Sequence, residues 1–382
     1  MPRDVGAYLT AEQAKAVGPE CAEFWSKFED YYNKKLWHQL TLLICDFITR
    51  DDMLKEKDAR LKLYENFIAE FESRINPFSL VTIISRIVAD MTGNNKQAEE
   101  FLLKTQTKVK ASTEAVIMCK TLIGNIKLDK QQNLEETKKL IEDIEQLLES
   151  IDGVSLVHAK FYELSSNYYR RVGKHAEYYK EALRYLGCIE LSIIPVTEQQ
   201  EIAFYLGLAA LLGEGVYNFG ELLAHPILEA LKSSQKTWLV DLLYIFNSGN
   251  LQGYEELRAV WSSQPDLAAN ELSLRQKISL LCLMEMTFKR QANNRQLTFA
   301  EIAKEARLPE DEVELLVMKA LSLSLVRGHI DQVNRKVHMT WVQPRVLDRQ
   351  QIATMQQRLD QWCKDVQSME LLLEDKAQDI LT

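Results

Sequence analysis

From Gln296 to Val342 the chain reads QLTFAEIAKEARLPEDEVELLVMKALSLSLVRGHIDQVNRKVHMTWV. Gln296-Leu297-Thr298-Phe299 has the form of a short edge strand. Thr298-x-x-Glu301 is a capping box: the threonine oxygen takes an N–H of the first turn while the glutamate reaches back to the cap. A helix should therefore open at Phe299 and run to Ala306. Arg307-Leu308-Pro309 makes a tight turn, with Pro309 suited to the first turn of the next helix, which runs to about Leu323. Val326 to Ile330 reads as a strand and Asp331 to Lys336 as a polar loop. Val337, Met339 and Trp341 then alternate with His338, Thr340 and Val342, as on a half-buried strand. Short strand, helix, turn, helix, strand, loop, strand is the order of a winged helix, a helix-turn-helix carrying a β-hairpin wing. The edge of its last strand, around Val337, His338, Met339 and Thr340, is expected to offer backbone groups to a neighbour's strand.

Upstream the spacing is helical throughout. No proline occurs between Pro77 and Pro195. Punctuation is limited to Thr92-Gly93-Asn94-Asn95, the run Asp129 to Asn133, Asp152-Gly153 and Val172-Gly173-Lys174. Leu61, Tyr64, Ile68 and Phe71 step by three and four, as do Leu140, Ile144 and Leu147. Helices of this length joined by short turns imply stacked antiparallel hairpins. Phe161, Leu164, Tyr168 and Tyr169 before Gly173, with Ala176, Tyr179, Ala182 and Leu183 after it, resemble a tetratricopeptide-type hairpin. Its aromatic stripe is expected to pack between helices rather than to bind a peptide. Thr197-x-x-Gln200 reads as a further capping box, and a long helix is expected from about Ala269 to Lys289.

Downstream, Pro344 closes the winged helix, and a final helix spans about Val346 to Ile380. Ile352, Leu359, Val366, Leu373 and Ile380 lie seven apart. Met355, Trp362 and Met369 follow three residues after the first three of these, and Lys376 breaks the series. This is the a/d pattern of a coiled-coil seam. Burying such side chains yields about 1.5–3 kcal/mol each, so these eight residues are expected to meet a partner.

The 382 residues suffice for two or three domains, and the formal charge is −9. An acidic chain is a poor general binder of polyanions. Only 14 glycines and 8 prolines are present, about half the average share of roughly 12%; this argues against turn-rich β folds and extended disorder. The 6 cysteines form no CxxC unit, which implies reduced, mostly buried thiols in a cytoplasmic or nuclear protein. Met1-Pro2-Arg3-Asp4 has no apolar signal core. The longest uncharged apolar stretch, Ile202 to Gly213, falls short of the ~20 residues of a membrane span.

Chemistry is sparse. The 6 histidines form no HExxH, and none has a cysteine at zinc-finger spacing. Gly213-Glu214-Gly215 with Gly220 is not a dinucleotide fingerprint, Gly173-Lys174 lacks the rest of a phosphate loop, and no GxSxG occurs. No catalytic, cofactor or metal site is expected. Nucleic acid is also not the expected partner. The second helix of the helix-turn-helix, which would enter a major groove, opens with Glu310, Asp311 and Glu312, and these would repel phosphates. Arg327, Arg335 and Lys336 in the wing are too few to compensate.

Helical hairpins feeding a winged helix and then a terminal helix resemble the PCI-domain family, shared by the proteasome lid, the signalosome and a translation initiation factor. The stretches YNKKLWHQLTL (32–42), KLYENFI (62–68), PDLAANE (265–271), LLCLMEMTF (280–288), VELLVMKAL (313–321) and VHMTWVQPRVL (337–347) are similar to a subunit of the 26S proteasome lid, and the likeness runs from about Phe24 to Thr382. The resemblance implies a non-catalytic, hetero-oligomeric scaffold of the cytoplasm and nucleus. Its winged helix would lie beside those of other PCI subunits. Its last helix would join a bundle with the MPN-domain subunits, one of which is a deubiquitinating metalloprotease. The organisation expected is a divergent tail (1–20), helical repeats (21–170), a PCI domain (171–344, its winged helix 269–344) and the heptad helix (345–382). Alternatives are a PCI scaffold of a signalosome-like or mRNA-export assembly, or a nucleic-acid-binding regulator.

At physiological salt, residues 269–346 should show no micromolar binding to duplex DNA in a gel-shift titration. Such an affinity, lost on Arg335→Glu or Lys336→Glu, would overturn the protein-docking reading.

Overall fold

A computed structural model describes residues 5–15, 19–50, 59–91, 95–151, 153–232, 234–290, 294–346 and 349–381. The expected turn at Thr92-Gly93-Asn94 and residue Asp152 lie outside them. The chain is mostly α, with one small sheet. It forms two compact units, Met1–Gly173 with Lys180–Glu190, and Lys174–Tyr179 with Leu191–Thr382.

The first unit is a succession of helices: α1 (Val5–Lys15), α2 (Pro19–Asn33), α3 (Trp37–Thr49), a helical segment at 59–74 with a π turn at Tyr64–Ile68, α4 (Pro77–Asp90), α5 (Asn95–Lys108), α6 (Thr113–Ile126), α7 (Leu134–Leu148) and α8 (Leu156–Val172). The segment expected as a tail supplies α1, whose Val5 and Leu9 are buried, with Tyr8 edge-on to Trp25. Aromatic rings then knit the core. Phe28 lies 5.3 Å from Phe47 and 5.9 Å from Phe67, ring centre to ring centre. Asn76 ends one helical segment and caps the next, its Oδ1 accepting the N–H of Phe78 at 2.9 Å. A second cluster joins Ile117, Ile141, Ile144, Phe161, Leu164 and Tyr168, so the aromatic stripe of α8 is core. α8 stops at Gly173, whose φ of +80° only glycine adopts at no steric cost.

Helix α9 (His175–Cys188) follows, and the second unit continues with α10 (Val196–Leu212), α11 (Thr237–Ser248) and α12 (Glu271–Lys289). The capping box expected at Thr197 does not form: α10 starts two residues earlier, with Pro195 as N-cap and no side-chain cap. Gln199 instead donates to the carbonyls of Leu191 and Ile194 at 2.7 and 2.8 Å, closing the preceding turn. Helix α10 is apolar around most of its circumference and is buried from Ala203 onward, as such helices must be. No helix among the described residues is long and apolar enough to cross a membrane. Helix α12 begins at Glu271 rather than Ala269 because Asn270, at φ −110° and ψ 23°, breaks the turn.

The winged helix follows the order read from the sequence: β1 (Gln296–Thr298), α13 (Phe299–Ala306), α14 (Glu310–Ser322), β2 (Val326–Asp331) and β3 (Lys336–Val342). The Thr298/Glu301 capping box forms, with bonds of 3.2 and 2.9 Å. Pro309 stands one position earlier than expected, as the N-cap of α14. The strand order is β1-β3-β2, all antiparallel. Gln296 pairs with His338 on one side of β3 and His329 on the other. A bulge leaves Thr340 extra in β3, between Met339, opposite Gly328, and Trp341, opposite Arg327. Gly328 is required there, because a Cβ would stand 2.2 Å from the His338 carbonyl oxygen. The last helix, α15, spans Arg349–Leu381, starting beyond Val346.

One charge is built into the second unit's interior. Lys277, on α12, is buried, and its ammonium donates to the carbonyls of Ala210 (2.7 Å), Leu211 (3.0 Å) and Gly213 (2.8 Å) at the end of α10. Burial lowers its pKa to about 7; three carbonyls and the faces of Tyr217 and Phe219 favour the cation. Lys277→Met should leave those carbonyls without their donor and cost about 2–4 kcal/mol, read as a lower urea midpoint at unchanged slope.

Candidate partner-binding site

The seam residues end up in water. From Ile352 to Glu374 every described side chain of α15 is exposed. Leu359 is 59% accessible, Trp362 63% and Met369 60%. Ile352, Met355, Val366 and Leu373 are exposed with them, and Leu371 and Leu372 widen the stripe near its end. The side chain of Ile380 lies outside the described residues. At 33 residues, the helix is about 50 Å long.

The root of this helix is held firmly. After β3 the chain passes through Pro344, and Arg345 enters the interior of the second unit. Its guanidinium donates to the carboxylate of Glu285 on α12 and, at 3.1 Å, to the carbonyl of Asn247. Both side chains of the pair are only 9% accessible. Val346 packs against Gly220, where a Cβ would come within 2.3 Å of the valine's own Cβ. Between two and three turns into α15, Arg358 donates to the carbonyl of Lys289 at the end of α12, 3.2 Å away. Glu285, Lys289, Thr354, Met355 and Arg358 line a cleft of about 420 Å³ at this junction.

The winged-helix residues fare differently. Val337 and Met339 are buried, His338 is half-buried with its ring 5.0 Å from that of His329, and Thr340 is exposed, its hydroxyl donating to the Arg327 carbonyl. Since β3 is the central strand and Val337 and His338 are paired on both sides, the expectation of strand pairing there is corrected. The short β1 supplies the pairing that sequence spacing could not reveal; Met339 also donates its N–H to the carbonyl of Arg295 at 2.9 Å. The outer strands are β1 and β2.

Two of the wing's cations, Arg327 and Arg335, are engaged within the chain. Arg327 lies over the ring of Trp341 at 4.8 Å. Arg335 pairs with Glu310 at 2.9 Å, and Gln332 donates to Glu314 at 3.0 Å. The wing thus closes on the acidic first turn of α14 instead of standing open toward a duplex. Of the cysteines, Cys21, Cys119 and Cys282 are buried, Cys45 and Cys188 half-buried, and Cys363 on α15 is exposed.

Sequence reading missed Glu285, Arg345 and Lys277. Their signal was weak but present: a charge on the apolar side of the Leu274–Met284 run, and an arginine directly after a strand-ending proline.

A helix-turn-helix with a three-stranded wing, fed by helices and followed by a long helix, defines a PCI-domain protein. The family model described as PCI domain matches residues 254–341, and that described as PSD13 N-terminal repeats matches residues 24–243. A 26S proteasome non-ATPase regulatory subunit 13 of Dictyostelium discoideum is 37% identical over 377 residues, covering 97% of each chain. Homolog B of that subunit in Arabidopsis thaliana is 38% identical over 379 residues, covering 97% of this chain and 98% of its own. A eukaryotic translation initiation factor 3 subunit M of Neosartorya fischeri is 31% identical, over 45% of this chain and 37% of its own. The chain belongs to the family of 26S proteasome non-ATPase regulatory subunit 13.

Arg345→Ala should leave buried Glu285 with only the exposed Lys289, 3.7 Å away, as its ion partner and cost about 3 kcal/mol. In denaturant unfolding, the double change Glu285→Met with Arg345→Met should recover most of that loss.

Proposed function

We propose that this chain is a non-catalytic structural subunit of the proteasome regulatory-particle lid, working in the cytoplasm and nucleus in the degradation of ubiquitinated proteins. The observation that carries the reading is the exposed apolar stripe of α15. The names of the full-length relatives support the assembly. The seam residues Ile352, Met355, Leu359, Trp362, Val366, Met369, Leu373 and Ile380 would be its contribution to a bundle with other lid subunits, the MPN-domain pair among them. The repeats (21–170) and the PCI domain (171–344) would hold that helix in place beside neighbouring PCI subunits. Such a subunit positions chemistry performed by others.

The energetics favour intermolecular burial. Eight seam side chains are worth about 12–24 kcal/mol gross at about 1.5–3 each, before the entropy of ordering is subtracted. The buried Arg345–Glu285 pair fixes where the helix leaves the domain, which lowers the ordering cost at assembly.

Truncation after Asp348 removes the seam and keeps Pro344 and Arg345. The truncated chain should retain cooperative melting, its midpoint within about 2 °C of the full chain, yet fail to enter the lid in reconstitution. Leu359→Asp with Val366→Asp should behave alike, since each would bury a charge in the bundle. Collapse of the melting temperature on truncation would refute the reading, because the seam would then serve its own chain.

A further inference from the structure

The first half of α12 and the outer face of α14 form a groove that the seam does not use. Leu272, Arg275, Gln276 and Ser279 line it from α12; Glu312, Leu315, Leu316 and Lys319 line it from α14. Each set is spaced i, i+3, i+4, i+7, so each wall is one helix face. Leu308 and Pro309 of the helix-turn-helix turn line it as well, and its volume is about 650 Å³, within the range of ligand clefts. Two of its leucines are poorly covered: Leu272 is 80% accessible and Leu315 65%.

The charges at the groove point to the occupant. Arg275 on one wall and Lys319 on the other are exposed, and neither is held in an ion pair among the described residues. Arg307, at the turn, is paired with Glu255. Glu312 is the one acid lining the groove. An apolar trough between two unneutralised cations suits a body with leucine-type side chains inward and carboxylates on both flanks. The helix-in-groove mode supplies that shape. A nucleic acid would set its phosphates beside Glu310, Asp311 and Glu312 and leave the leucines without an apolar partner. A strand would find no sheet edge between two helices.

We propose that the α12/α14 groove docks an amphipathic helix of a partner protein, with aliphatic residues on its inner face and carboxylates on both flanks. The helix that would read DNA in a nucleic-acid-binding winged helix here forms one wall of a protein-docking trough. The α15 seam is a separate surface, rooted at the opposite end of α12.

The test uses the full chain and three probes at physiological salt, followed by fluorescence anisotropy. The first is a synthetic helical peptide with leucines at i, i+3, i+4 and i+7 and glutamates on both flanks. The second is its twin with lysines for glutamates, and the third is a duplex DNA of similar charge. The glutamate peptide should bind at least tenfold tighter than its twin. Arg275→Glu with Lys319→Glu should reverse that preference, and Leu315→Asp should weaken the glutamate peptide tenfold or more. All three positions are exposed, so the variants should melt as the parent does. Truncation after Asp348 should change nothing, which separates this site from the seam. Equal binding of the two peptides, binding of neither, or displacement of the glutamate peptide by duplex would overturn the proposal.

Discussion

A single helix carrying leucines, a tryptophan and methionines along one stripe is poorly suited to standing in water. That constraint organises the C-terminal half of this molecule. Helices in proteins draw most of their stability from packing of an amphipathic face, and from Ile352 to Glu374 every described side chain of α15 is exposed. What the chain provides is a root. Arg345 is tied to Glu285 and Asn247, Val346 is seated on Gly220, and Arg358 reaches Lys289. A buried ion pair is a poor source of net stability, and here it fixes geometry. Lys277 acts likewise, tying α12 to the end of α10 through three carbonyls. Two buried charges on one helix thus orient the platform from which the seam departs.

The winged helix shows the same division of labour. Its wing directs Arg335 onto Glu310 and Arg327 onto Trp341. These contacts engage the two wing arginines that a duplex would require, while α14 keeps Leu315 and Met318 in solvent. Surface ion pairs such as Arg335–Glu310 contribute little to stability; their consequence here is the choice of partner class.

Features encoded locally were legible in the sequence. The Thr298/Glu301 box, the Arg307-Leu308-Pro309 turn and the alternation from Val337 to Trp341 depend on residues a few positions apart, and each was readable. The heptad in α15 was readable for the same reason. Failures came where a distant or competing group decided the outcome. Thr197 lost its cap because Gln199 closes the turn before it. The central place of β3 depends on β1, some forty residues earlier in the chain, and no periodicity within 336–342 encodes it. Arg345 meets Glu285 across 60 residues and Lys277 meets the Ala210 carbonyl across 67, so spacing rules could not pair them. Of the candidate site, the apolar stripe along α15 was legible as a pattern, whereas the Arg345–Glu285 contact at its root was not.

The central claim is that the stripe on α15 is bare in the free chain and covered in the assembly. Amide hydrogen exchange across residues 352–374, compared between the isolated chain and the intact regulatory particle, tests it most directly. The account predicts rapid exchange in the free chain and protection increased at least a hundredfold in the particle. Equal protection in the two states would contradict it, whether the helix is shielded in both or open in both.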